Sequence, residues 1–308
     1  LKYLGGYSDG GVFNPNIPVS LIINSEEDCM PCLAEYNDMD DMYTFINQPF
    51  TLLNYSNRQD TIFLDSGTIE LKYSLNNNDG LTLINKIVSF SANKYINEHY
   101  YEINDEAFEY SNNLELLWYG GLRPSEEKED EDIAYGSGII SQAGETEDIQ
   151  AKDSEKNIVR EVFKGQTDWV AIRTKYFMSA IIAKDPGKYA TLSEHNESFG
   201  NRKHTPLYSA SIGYPLNVST ISSSIYLGPL DVDYLSQTDV SLDASMNWGF
   251  APIRPISKGV LWVLKFMHNK LNLNYGLVLL LFAVLVRLIT GPLTKKSYES
   301  SQNMQKIQ

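Results

Sequence analysis

One run of nineteen residues, YGLVLLLFAVLVRLITGPL from Tyr275 to Leu293, limits what this chain can become more than any other stretch. As a helix it rises about 28 Å, close to the bilayer hydrocarbon core of roughly 30 Å. Its one charge, Arg287, lies toward the C-terminal end with no acid nearby. A guanidinium at such depth costs about 2.5–3.5 kcal/mol on insertion scales. Two readings meet this cost. In the first, the chain gets something functional from the charge. In the second, the side chain snorkels: Leu293 is six residues on, so the apolar end is about 9 Å from Arg287. Gly291 and Pro292 are expected to end or kink the helix.

The charge distribution supports an exported domain tied to a membrane tail. The net charge is −14, yet the residues from Ala251 onward carry eight basic groups and one acid, Glu299. The first 250 residues are correspondingly acidic, at −21. Such a body is a poor nucleic-acid binder, because phosphate affinity comes from Lys and Arg. Lys295, Lys296 and Lys306 follow the span and place that end in the cytoplasm by the positive-inside rule; Lys265 and Lys270 precede it and pull the other way. The large domain then lies in a periplasm. The chain starts at Leu1 and stops in mid-pattern, so it reads as a fragment, and an upstream anchor is expected if the domain is exported.

Strand signals dominate from residue 43 to 120. Ile69 to Leu75 alternates apolar and polar, the turn signal Asn76-Asn77-Asn78-Asp79-Gly80 follows, and Leu81–Phe90, Tyr95–Ile103 and Leu114–Tyr119 form further runs, the last closed by Gly120-Gly121. Strands resume near Ile158–Phe163, Trp169–Ile172, Tyr176–Ala183 and Ser209–Asn217. The spacing predicts an antiparallel sandwich. Ser125–Asp132 reads as an acidic surface loop and 184–206 as a long polar loop. Gly136-Ser137-Gly138 lacks the third glycine and the helix of a dinucleotide fingerprint. Cys29 and Cys32 sit in an acidic, Pro- and Asn-rich stretch that would raise a thiol pKa, so a local disulfide or two free thiols are expected rather than a catalytic pair. No second Cys/His cluster exists to complete a zinc site, and His99, His195, His204 and His268 are scattered along the chain and carry no catalytic assignment.

After Pro229 the character changes. Leu230–Leu242 reads as a short helix, and Pro252 and Pro255, just after Trp248-Gly249-Phe250, mark a joint. Ile256–Leu271 is amphipathic. Lys258, Trp262 and Lys265 share one face, and Val260, Val263, Leu264, Phe266 and Met267 the broader one. A helix in the interface plane fits this pattern, with Trp262 and Lys265 as anchors.

The residues Val286-Arg287-Leu288-Ile289-Thr290-Gly291-Pro292-Leu293-Thr294-Lys295, followed by Ser297, Tyr298, Ser300, Met304 and Gln305, resemble the YidC/Oxa/Alb membrane protein insertases, which place an Arg five residues before a Pro-Leu-Thr/Ser-Lys run. Upstream, Tyr226-Leu227-Gly228-Pro229 is similar to the Y-x-G-P that ends the family's periplasmic domain. Trp169, Lys175-Tyr176-Phe177, Ala180-Ile181-Ile182 and, more weakly, Trp118-Tyr119-Gly120-Gly121-Leu122 resemble other parts of it. The resemblance implies a mainly β chain: an antiparallel β-supersandwich periplasmic domain (1–235), a linker and interfacial amphipathic helix (236–274), the first transmembrane helix of a five-helix core (275–293), and the start of a cytoplasmic helical region (294–308). It also implies an insertase and chaperone of the bacterial inner membrane, with Arg287 as the groove charge. Its partners would be nascent membrane proteins, lipids, and possible Sec translocon and ribosome contacts. Neither cofactor nor metal is implied. Ala283, one turn before Arg287, stands where some relatives carry a hydroxyl. The competing readings are a membrane-anchored carbohydrate-binding or mutarotase-like protein, which needs convergent His and acidic groups, and a single-pass anchored binding module in which Arg287 only snorkels.

Overall fold

The computed structural model describes residues 3–7, 13–23, 29–37, 40, 42–46, 48–55, 62–108, 113–150, 159–199, 202–215, 217–246, 248–249 and 252–305. Contacts divide the chain into two units, Leu1–Met246 and Asn247–Gln308.

In the first unit β1 (Leu4–Tyr7) and β2 (Phe13–Pro18) form a two-stranded sheet among the described residues. A 13-stranded sheet holds the rest. In chain order its strands are β3 (Cys32–Asn37), β4 (Met42–Phe45), β5 (Thr51–Leu52), β6 (Thr68–Asn76), β7 (Thr82–Ser91), β8 (Ile96–Ile103), β9 (Asn113–Trp118), β10 (Ser137–Gln142), β11 (Glu145–Ile149), β12 (Val159–Arg173), β13 (Phe177–Phe199), β14 (Arg202–Pro215) and β15 (Thr220–Pro229). The long strand β13 organises it. Phe177–Ala183 pairs with β15, Tyr189–Phe199 pairs with β14, and β12 runs along the other edge of both halves. One arm is therefore β14-β9-β3-β4 and the other β15-β8-β7-β6-β5, every ladder antiparallel.

The arms pack face to face. Leu33, Leu114, Leu116, Trp118, Ala210 and Ile212 from the first share one core with Ile84, Tyr101, Ile103, Ile221 and Ile225 from the second. Each such large apolar side chain contributes about 1.5–3 kcal/mol on burial. The expected sandwich is thus the observed fold, and the runs read at 69–75, 81–90, 95–103 and 114–119 are β6, β7, β8 and β9.

Three local expectations are corrected. Residues 184–206 are read as a long loop, but 184–199 form the outer half of β13 and 202–206 the start of β14. The Lys-Asp-Pro-Gly stretch 184–187 falls between the segments that pair with β15 and β14, at a break in register with β12, so Pro186 takes no place in a regular ladder. The acidic stretch 125–132 is partly helical: α1 spans Glu129–Tyr135, and Lys175 bonds Glu131 at 2.5 Å and Glu126 at 3.6 Å. Leu230–Leu242 holds one short turn of helix, α2 (Val232–Leu235), with a separate 3-10 turn at Leu242–Ser245. Leu235 and Leu242 cover Trp169, Met178, Ala180 and Tyr226 on the outer sheet face, so the packing of this unit continues past residue 235. Arg173 ties the segment down, donating to Ser137 Oγ at 2.8 Å and the Ser245 carbonyl at 2.5 Å.

The quoted motifs acquire physical reasons. Gly120 and Gly121 both adopt positive φ (82° and 78°), and a Cβ on Gly121 would stand 3.2 Å from Leu207. Trp118 Nε1 then donates to the Gly121 carbonyl at 2.8 Å. In the Y-x-G-P stretch, Tyr226 Oη donates to the Pro229 carbonyl at 2.6 Å, and Gly228 lies under the ring of Tyr95.

In the second unit α3 spans Arg254–Leu271 and closes at Asn272 in the left-handed region (φ 52°). Asn274 Oδ1 then accepts from the Leu277 amide at 2.9 Å and caps α4, Tyr275–Gln305. His268 stacks on Tyr275 across the joint, with ring centroids 4.0 Å apart.

Candidate functional site

Helix α4 is the one helix among the described residues long and apolar enough to cross a membrane, with a mean hydropathy of 2.0 over Tyr275–Pro292. Val278 is buried and Phe282 half-buried, but Leu277, Leu279–Leu281, Val284–Val286, Leu288 and Ile289 are exposed, Leu280 and Leu288 at 66% and 72%. In water such a surface would be strongly unfavourable. It suits lipid or further helices.

Arg287 lies on this helix, exposed, and makes no hydrogen bond or ion pair among the described residues. Ala283, one turn earlier, is exposed as well. Of the two outcomes expected at Gly291-Pro292, an end or a kink, the end is corrected: α4 continues through Pro292 to Gln305. Proline leaves the carbonyl four residues back without its amide donor, and membrane helices tolerate this where other groups adjust. On either side of it Thr290 Oγ1 donates to the Val286 carbonyl at 2.8 Å and Thr294 Oγ1 to that of Thr290 at 2.9 Å, back-bonding of the kind that bends helices.

On α3 the expected anchors separate in kind. Trp262 is 66% exposed and stacks on Phe266 at 5.6 Å, so the two rings form one apolar ledge. Lys265 is half-buried, and Met267 is buried on the other side. Lys258 sits over the ring of Trp248 at 5.2 Å, a cation–π contact.

The sequence reading missed the densest polar cluster. Glu115 of β9 is fully buried on the outer face of the first arm. Its Oε1 accepts from Arg160 Nη2 and Tyr189 Oη, both at 2.9 Å. Its Oε2 accepts from Tyr43 Oη at 3.0 Å, Ser211 Oγ at 2.5 Å and Thr191 Oγ1 at 3.4 Å. Arg160 also lies 3.4 Å over the ring of Tyr36. Burial, with the adjoining carboxylate, pushes the Tyr43 and Tyr189 hydroxyls up, so both remain donors. One signal was legible: an acid inside the apolar run Leu114-Glu115-Leu116-Leu117-Trp118 has to be paired. The cluster binds strands to one another and leaves its carboxylate no free lone pair for chemistry. Gly213 completes it by lying under the Tyr189 ring, where a Cβ would fall 2.1 Å from ring carbons. Gly213→Ala is therefore expected to destabilise the domain by about 1–3 kcal/mol, seen as a thermal midpoint lowered by roughly 2–4 °C per kcal/mol; an unchanged midpoint would show that the ring moves aside freely.

Cys29 and Cys32 form a disulfide, the first of the two alternatives the sequence left open, beside Leu117 and Ala34. His99, His195 and His268 lie apart on β8, β13 and α3. Among the described residues no three His, Cys, Asp or Glu side chains converge as a metal set would.

Comparison with known proteins adds the following. The family model described as the YidC periplasmic domain matches residues 22–263. Membrane protein insertase YidC of Prosthecochloris aestuarii is 30% identical over 229 residues, covering 71% of this chain and 38% of its own. The protein of the same name from Chlorobium phaeovibrioides is 30% identical over 213 residues (64% and 34%), and that from Chlorobium limicola 29% over 231 residues (73% and 39%). The matched part is thus under two-fifths of the length of these relatives. The solved structure of HI1317 aligns with 58% of this chain and 64% of its own at 10% identity and a TM-score of 0.35, too slight a likeness to bear on the fold.

Proposed function

Because this chain belongs to the YidC family and carries that family's periplasmic domain, we propose that it is the exported domain and first core span of a membrane protein insertase. The observation that carries this reading is Arg287, a guanidinium within a membrane-length helix, with no acid beside it among the described residues. A groove that opens part of the bilayer to water shortens the hydrocarbon path for a polar segment of a client. A cation in that groove attracts the client's acidic residues, and the low dielectric strengthens the attraction. Transfer of the client's apolar segment into lipid then favours release sideways. The work is done by electrostatics and hydrophobic transfer, and the reading uses no cofactor.

In this reading the full-length protein spans the inner membrane several times. Nascent integral membrane proteins are its substrates, and the Sec translocon and ribosome are partners. Trp262 and Lys265 hold α3 in the interface plane, where an exposed aromatic ledge beside a snorkelling lysine is stable. Gly291 and Pro292 keep their place as the site where α4 can bend. The test is site-specific photocrosslinking in the full-length protein. A photoreactive residue at Ala283 is expected to capture a stalled client bearing an acidic segment near its span. Adducts to lipid alone at that position would overturn the groove.

A further inference from the structure

We propose that the cavity between the two arms of the first unit, with Glu35 on its rim, binds a primary amine on a short apolar chain. The inference stands apart from the insertase reading and concerns only the exported domain.

The fold sets the residues. Glu35 of β3 lies two residues beyond Leu33, so it shares the strand face that Leu33 gives to the core. Thr44 of β4 lies directly opposite it in the ladder, which puts the two Cβ atoms about 5 Å apart. Beside them lies a cavity of about 260 Å³. Glu35 and Thr44 line it from the first arm, Leu75, Leu83 and Ile84 from the second, and Phe108 from beyond β8. Thr44 is exposed, Glu35 is half-buried, and Leu75 and Ile84 are buried, so the cavity runs from solvent into the core.

The rim calls for a compact cation. Glu115, the other acid on this arm's inner strands, is answered by Arg160. The Glu35 carboxylate has no hydrogen bond or ion pair among the described residues, and no Lys, Arg or His among them lines the cavity. Burial alone pushes its carboxyl up, as it does for a negative charge that nothing compensates. The first 250 residues carry −21 in all, a field that draws cations toward the opening. Thr44 and Gln48, also on the rim, add a hydroxyl and an amide oxygen, and neither side chain bonds another described residue. An ammonium has three N–H donors and no acceptor, so these three side chains can meet all of it. Every other lining residue is apolar. The rest of the ligand is therefore apolar, and a volume below the roughly 300–1,000 Å³ of drug-sized pockets keeps it short. A lysine side chain has this chemistry, and so has a free alkylamine.

The test uses the whole chain in detergent micelles with its isoleucine methyls 13C-labelled and butylammonium chloride as the probe, in effect a lysine side chain without its backbone. Sodium chloride at equal ionic strength and butanol serve as controls. The resonances of Ile46 and Ile84, both on the cavity wall, are identified by their absence in Ile46→Val and Ile84→Val. They are expected to shift saturably with butylammonium, while that of Ile182, in the separate cluster under Leu235, stays put. Glu35→Gln is expected to weaken the affinity about ten-fold; should that variant fail to fold, the comparison with butanol decides. Lysine capped as its N-acetyl methylamide separates the two sources: tighter binding than butylammonium assigns the site to lysines of peptides, weaker binding to free amines. A response to butanol equal to that to butylammonium, a response that follows ionic strength alone, or a Glu35→Gln protein that titrates like the parent would overturn the site.

Discussion

Replacing Arg287 with alanine in the full-length protein is expected to slow insertion of a single-span client with an acidic tail by roughly one hundred-fold. The estimate follows from Coulomb's law. Two charges about 4 Å apart attract by about 4 kcal/mol at an effective dielectric of 20 and about 1 kcal/mol in water. The difference of about 3 kcal/mol corresponds to two decades if it acts on the crossing step. Clients with neutral tails are expected to insert at the parental rate, and Arg287→Lys is expected to retain most activity, since charge rather than a guanidinium fork does the work. The measurement is protease protection of the client's tail in cells whose sole copy carries the substitution. Normal insertion of the acidic client would leave Arg287 as a snorkelling residue and remove the groove charge from the mechanism.

The second large effect belongs to the domain's stability. Glu115→Ala removes the acceptor for Arg160, Tyr43, Tyr189 and Ser211 at once, in a site with no access to water for the carboxylate. Breaking one partner of a buried ion pair costs about 3–5 kcal/mol, because the other charge stays behind uncompensated. In a domain of this size the thermal midpoint is expected to fall by roughly 10 °C. The double substitution Glu115→Leu with Arg160→Met is expected to recover most of the loss, since it removes both charges and fills the space with apolar groups. Calorimetry of the three proteins decides the matter. A double variant no better than the single one would mean that the tyrosines, not the arginine, carry the penalty.

Sequence reading succeeded where one strand face is apolar and the other wet. Ile69-Glu70-Leu71-Lys72-Tyr73 alternates because Glu70 and Lys72 pair in solvent. It failed on the outer half of β13 for the opposite reason. Thr191, Ser193, Ser209 and Ser211 are buried although polar, because that outer face is closed over by the Glu115 cluster rather than left to water. On β13 only Ala190 and Leu192 alternate with these polar residues, too short a run to stand out, and Lys-Asp-Pro-Gly before them mimicked a turn. The long apolar helix α4 was legible from composition alone, because a span needs apolarity over a fixed length. The course of α4 beyond Pro292 was not, because a missing amide weakens a helix without always ending it.

The unbroken course of α4 has a mechanical consequence. Its 31 residues rise about 46 Å, against a hydrocarbon layer of roughly 30 Å. In the proposed placement its last third projects past the lipid. A rocking of about 10° at one end would then swing the other by roughly 8 Å, less whatever a bend at Gly291-Pro292 takes up.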